Sequence, residues 1–206
     1  MATDTRERIL EAACDLIAAE GIDDMRIARV AMRAGASTAL VHHYFSTREE
    51  LLEQALLHSF ELAGDERFAA GRVGGSATAQ LAAAIEECLP GSGRLQRDWV
   101  LWVELWLRAA REPELRPFAA QLYERYRDWL SGVIDAGVQS GEFERPADLE
   151  DLVDRAMAML DGTGLRSLLR DPAMDLSRAR RLVAELLGGE LGVDPEELIA
   201  KAEDLG

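Results

Sequence analysis

Residues 37–47 read STALVHHYFST, two adjacent histidines followed by two aromatic rings. Groups of these types serve metal ligation, acid–base or nucleophilic catalysis, or contact with nucleic acid. Metal ligands on one helix stand three or four residues apart so that they share a face. His42 and His43 are neighbours, and 3.6 residues per turn sets them about 100° apart around the axis. The third histidine, His58, falls on another expected helix with no evident carboxylate or cysteine partner. Hydrolysis needs a nucleophile oriented by a base, whereas Ser37 and Thr38 read as cap and first-turn residues. The chain has no nucleophile elbow, P-loop or dinucleotide glycine motif. No catalytic residue, metal or cofactor is therefore expected.

The surrounding elements favour nucleic acid. Thr5 to Glu20 places Ile9, Ala13, Leu16 and Ile17 on one helical face and ends at Gly21. Asp24 is expected to cap a second helix carrying Ile27, Val30, Ala31 and Ala34. Gly35-Ala36 makes a tight turn. Ser37 caps a short helix to Phe45, with Leu40, Val41 and Phe45 expected inward. Thr47-Arg48-Glu49-Glu50 has the form of a capping box that opens a longer helix to about Glu66. Helix, tight turn, helix is the helix-turn-helix pattern. On the second helix Thr38, Ala39, His42 and His43 form the outward side, where small residues permit close approach and the rings reach phosphates or base edges. Arg48, with the first amides of the following helix, and Arg26 are placed to hold phosphates. A solvated face of an ordinary helix fits the same residues.

Charge sharpens the contrast. The 206-residue chain has a formal net charge of −15, yet residues 25–48 hold four arginines, Arg26, Arg29, Arg33 and Arg48, and no acid. A basic island in an acidic chain is a local electrostatic footprint. With 48% hydrophobic residues the chain has the composition of a folded domain. Cys14 and Cys88 both lie in helical apolar patterns and read as reduced core residues of a cytoplasmic protein. The N-terminus lacks a signal-peptide pattern, and no 18-residue apolar run predicts a membrane helix.

RERILEAACDLIAAEG followed by IARVAMRAGASTALVHHYFSTREELLEQAL, residues 6–57, resembles the DNA-binding domain of TetR-family transcriptional regulators in order and spacing. The resemblance implies an all-α protein. An N-terminal helix-turn-helix domain (1–50) would precede a larger effector-binding and dimerisation bundle (51–206). By position it implies DNA contacts at Ser37, Thr38, Ala39, His42, His43, Tyr44, Thr47 and Arg48. Thr38 stands where the family often has lysine, Ala39 where it has glycine, and Met25 where it has threonine or serine. The implied partners are double-stranded operator DNA, a second copy of the chain and an unidentified small-molecule effector, with no membrane. The implied outcome is repression relieved by the effector. A non-DNA sequestering protein and an all-α enzyme are the rivals. The first requires the basic window to be an idle patch, and the second lacks any acid–base pair with convincing spacing.

The remainder reads as helices near 76–88, 97–111, 114–140, 148–170, 177–188 and 194–204, after a glycine-rich linker at 69–76. It is similar to the BetI-type subgroup of the same family. Helix 97–111 is apolar around most of its circumference and so belongs inside a bundle. Trp99, Trp102 and Trp106 share a face that lines either a cavity or plain core. Tyr123 and Tyr126 on the next helix can point phenols toward it, with Met157 and Met159 shaping it. Glu104 reads as an ion pair with Arg108. Asp161 is the better buried counter-charge for a cationic ligand. Leu149, Val153, Ala156, Leu160 and Leu168 with Leu182, Val183, Leu186 and Leu187 are candidates for a four-helix dimer interface or for intrachain core. Gly162 and Gly164 read as sites of close approach or a kink.

Overall fold

The computed structural model describes residues 5–70 and 75–203, with nothing said of the side chains of residues 60–70. The described residues form ten α-helices and no strand: α1 (Thr5–Glu20), α2 (Ile27–Ala34), α3 (Thr38–Tyr44), α4 (Arg48–Ala70), α5 (Ala77–Glu87), α6 (Arg94–Arg111), α7 (Arg116–Ser140), α8 (Leu149–Leu168), α9 (Leu176–Leu191) and α10 (Pro195–Glu203). A single 3₁₀ turn, Pro113–Leu115, precedes α7. The fold class expected from the sequence is the one observed. The helix expected to stop near Glu66 runs on to Ala70, so Ala69 and Ala70 of the expected linker are helical. Residues 71–74 of that linker lie outside the described residues.

The first three helices pack on α1 and the start of α4 through Ile9, Ala13, Ile17, Met25, Val30, Val41, Phe45, Leu51 and Leu52, all buried. Gly35 adopts φ +63, a conformation glycine reaches without a Cβ clash. Ala36 N–H then bonds to Ala31 O at 2.9 Å and Gly35 N–H to Met32 O, closing α2 and aiming the chain into α3. Ser37 caps α3 by accepting from Leu40 N–H at 3.1 Å. Thr47 Oγ1 accepts from Glu50 N–H at 3.0 Å, while Ser46 N–H donates to Glu50 Oε2 at 2.8 Å.

Two local expectations fail. Asp24 does not cap α2, because the cap position is Arg26, with no side-chain bond. Met25 is fully buried, and anchoring it in the core leaves Asp24 exposed and outside the first turn. Leu40 is 36% exposed. A seven-residue helix can align only Val41 and Phe45 with the core, and Leu40 lies about 100° away from Val41.

α6 is the centre of the molecule, in contact with α1 and α4 on one side and with α7 and α8 on the other. Trp99 reaches α8 because residue 164 is glycine. A Cβ there would lie 2.3 Å from the indole ring, so of the two helix glycines Gly164 is the site of close approach. Gly162 faces open space. Cys14 is core, its thiol donating to Ala55 O at 3.1 Å and pushed up by burial to about 12. Cys88 is only half-buried, unlike the core residue expected.

Candidate functional site

Two candidate sites stand out, one on α3 and one against the first half of α6. At the first, Ser37, Thr38, Ala39, His42 and His43 are exposed along α3, with Thr47 exposed at the start of α4. Tyr44 is half-buried, its ring edge-on to His43 at 5.3 Å. Arg26 is exposed. Most of these groups are exposed on α3 and at its two flanks, where a groove-entering helix would present them. His58 does have a carboxylate partner, contrary to expectation: its Nε2 lies 3.2 Å from Glu11 Oε1 on α1. Among the described residues no cluster of three metal-ligating side chains exists.

The basic island is less free than the linear count suggests. Arg29 makes a paired contact with Glu20, one arm at 2.6 Å. Arg33 donates to Asp15 Oδ2 from Nη2 at 2.9 Å and from Nε at 3.2 Å. Both acids belong to α1, which lies outside the sequence window. Arg48, expected to hold a phosphate, donates from Nε to Met25 O at 2.8 Å and from Nη2 to Ile22 O. Its guanidinium ties the α1–α2 loop, just before α2, to the start of α4. Arg48→Ala leaves two carbonyls without their donor, and charge-assisted hydrogen bonds are each worth about 1.5–3 kcal/mol. The variant is expected to melt earlier in a calorimetric scan and to lose DNA affinity in parallel. Unchanged melting would show that the brace carries no load.

The second site is a cavity between α5, α6, α7 and α8. Cys88, Asp98, Trp99, Trp102, Tyr126, Met157, Leu160 and Asp161 line it. Its volume is about 40 Å³, on a scale where one water needs about 10–15 Å³, so it is a compact cavity rather than a channel for a long chain. Trp102 is the hub of the aromatic wall, with ring centroids 5.4 Å from Trp106, 5.4 Å from Tyr123 and 5.9 Å from Tyr126. Trp106 and Tyr123, expected as lining residues, stand behind it, stacked at 6.4 Å with an interplanar angle of 1°. The Trp106 indole N–H is buried without an acceptor in hydrogen-bond geometry. Tyr123 still acts on the cavity, donating its hydroxyl to Asp161 Oδ2 at 2.8 Å. Burial, then the negative charge of Asp161, hold that phenol well above its ordinary range. Met159 packs against the core beside the site.

Asp161 carries the electrostatics. Burial pushes its carboxyl up to about 6, with the Tyr123 bond pulling partly the other way. No cationic side chain lies within ion-pair distance of it among the described residues. The second carboxylate, Asp98, is 3% exposed and pairs with Arg94 at 3.2 Å. Asp98 is not singled out by the sequence, and Cys88 and Leu160, read there as core or interface residues, also line the cavity. The available signal for Asp98 was its place one turn before Trp102, with an arginine four residues earlier. Glu104 sits at the rim of a separate open cleft rather than in this cavity, and Arg108 pairs with Glu112 at 2.7 Å instead of with Glu104.

Electron-rich indole and phenol faces beside a carboxylate that has no cationic partner among the described residues attract an organic cation. Residues 9–55 match the bacterial regulatory proteins of the tetR family, and residues 77–192, over half the chain, match the C-terminal domain of BetI-type transcriptional repressors. The chain belongs to the TetR family, BetI type. Among its relatives this TetR-family regulator is 24% identical over 190 residues to the HTH-type transcriptional regulator BetI of Brucella canis, covering 92% of this chain and 93% of the relative. It is 28% identical over 189 residues to BetI 1 of Chromohalobacter salexigens, covering 90% of each. The fold also superposes on a transcriptional regulator from Saccharomonospora viridis crystallised with choline, with TM-score 0.80 and 28% identity, covering 90% of this chain and 96% of that one. The TetR-family assignment makes the protein a DNA-binding transcriptional regulator. Among the described residues no helix is long and apolar enough to cross a membrane.

Proposed function

We propose that the protein is a homodimeric repressor acting in the cytoplasm, released from operator DNA when a small organic cation of the choline class fills the aromatic cavity. The single observation that carries the effector class is Asp161, a half-buried carboxylate with no cationic partner among the described residues, lining the cavity with Trp99, Trp102 and Tyr126. A quaternary ammonium supplies the missing charge and lies against ring faces without requiring N–H acceptors. We place the operator contacts on Arg26, Ser37, Thr38, Ala39, His42, His43, Tyr44 and Thr47, with Arg48 holding the α1–α2 loop in register. The division into a DNA-binding part (1–50) and an effector part (51–206) is kept on the same grounds, with α4 joining the two.

One recognition helix reads few base pairs, so a dimer spanning half-sites about 34–36 Å apart suits the geometry. The face we assign to that dimer differs from the leucines named from sequence. Val153, Ala156, Leu160, Val183 and Leu187 are buried within the chain. Exposed instead are Ala158 and Gly162 on α8, Leu169 just past its end (71% exposed) and Gly189 on α9, flanked by the half-buried Leu165, Leu182 and Leu186. Paired across a two-fold axis, α8 and α9 make a four-helix interface.

The test is a titration of DNA from upstream of the protein's own gene, with and without choline and at several salt concentrations. Each phosphate neutralised contributes a slope of about −0.9 in log K against log salt. Strong salt dependence with an affinity lowered roughly 5- to 150-fold by choline is expected. His42→Ala is expected to weaken binding without lowering thermal stability. Salt-independent binding would overturn the DNA surface, and choline without effect would overturn the effector class.

A further inference from the structure

Arg97 precedes Asp98 on α6 but points to the opposite side, toward α1. Its Nη1 lies 2.8 Å from Glu11 Oε2 and 3.0 Å from Asp15 Oδ1. Asp15 is shared, since its other oxygen accepts from Arg33 of α2. Against the cost of its partial burial, the bonds from Arg33 and Arg97 hold Asp15 below the usual carboxylate range. Glu11 is shared too, its second oxygen meeting His58 of α4. Arg97 Nε is buried with no acceptor among the described residues, and Oδ1 of the cavity-lining Asp98 stands 3.8 Å from it, just beyond hydrogen-bond reach.

We propose that Arg97 is the positioning residue that carries occupancy of the cavity to the helix-turn-helix, because Asp98 on the cavity wall and Asp15 under α2 compete for one rigid guanidinium. The inference rests on the reading of the cavity as the effector site. A guanidinium is a planar fork and cannot align on three carboxylates from two helices at once. Its orphaned Nε marks the side left unsatisfied. A cation in the cavity draws the Asp98 carboxylate toward itself and away from Arg97. The fork then settles more fully on Glu11 and Asp15, and Asp15 yields its share of Arg33. That pair ties α2 to α1, and the closed turn at Gly35 passes any tilt of α2 to α3. Small shifts suffice, since the competing arrangements are discrete.

A double-mutant cycle tests this without depending on the identity of the effector. Asp98→Asn removes the wall charge as a bound cation neutralises it. In the native background it is expected to weaken operator binding at least about 5-fold. In an Arg97→Gln background the same change is expected to alter it less than about 2-fold. Equal factors in both backgrounds, or no effect of Asp98→Asn in the native one, overturn the proposal. Should Arg97→Gln fail to fold, Arg97→Lys replaces it: an ammonium keeps an ion pair with α1 but has no Nε facing Asp98, and the same loss of coupling is expected. Amide exchange in α2 and α3, measured on the same proteins, gives a readout that needs no DNA and is expected to follow the same pattern. Choline titrations run in parallel separate the two ideas. Choline without effect on the native protein removes the choline reading, while the cycle still decides the role of Arg97.

Discussion

Trp102→Ala is expected to lower folding stability by about 3–5 kcal/mol, the range for truncating a buried indole, and to abolish choline binding. Trp102 is 9% exposed and touches three other rings, so its loss opens a void in the most densely aromatic part of the core. The two effects separate in Trp102→Phe, which retains an aromatic face and much of the volume. Urea unfolding followed by calorimetric choline titration of both variants checks the expectation. Trp102→Phe is expected to recover most of the stability and part of the affinity, because phenylalanine presents a weaker cation-attracting face than tryptophan. Full choline affinity in Trp102→Ala would mean that the cation sits elsewhere.

Asp161→Asn is expected to change stability and affinity in opposite directions. The substitution keeps the shape and leaves an oxygen for the Tyr123 hydroxyl to bond, but removes the charge. Choline affinity is expected to fall about 30-fold or more, since taking one partner from a desolvated charge pair costs about 2–5 kcal/mol. The unliganded protein, by contrast, is expected to become more stable near neutral pH, because the burial cost of the carboxylate disappears. The pH dependence fixes the sign. Burial pushes the carboxyl up to about 6 in the folded protein from the ordinary 3.8 of the unfolded chain. Between those values the folded state binds more protons. Its stabilising contribution is complete below 3.8 and is lost as pH rises through 6. Native protein is therefore expected to lose stability relative to Asp161→Asn across this window. Choline itself does not titrate, so its affinity for the native protein is expected to fall as pH drops below 6, by up to about tenfold per unit. At low pH the two proteins converge. A flat affinity profile from pH 5 to 8 would exclude Asp161 as the counter-charge.

Much of the fold and part of each site was legible in local pattern. Helix periodicity, the Ser37 cap, the Gly35 turn and the Thr47 capping residue depend on neighbours within four positions, and they appear where the residues imply. So does the outward placement of Thr38, Ala39, His42 and His43, because once Val41 and Phe45 face the core the rest of a seven-residue helix has one direction left. Trp99, Trp102, Tyr126, Met157 and Asp161 meet around one cavity for a similar reason, each lying on the inner face of its own helix.

Other features waited on packing between distant segments. The four arginines of residues 25–48 look like free charge until α1 brings Asp15 and Glu20 against them. Arg48 looks like a phosphate ligand until the α1–α2 loop presents two carbonyls to it. Asp98 resembles any helix acid until α8, with glycine at position 164, closes over Trp99 and shuts it in. Charge pairing and burial are set by which helices touch, and that is a property of the whole chain. Periodicity, caps and turns are decided within a few residues, so they can be read along the line, whereas the partner of an ionised side chain can be known only in space.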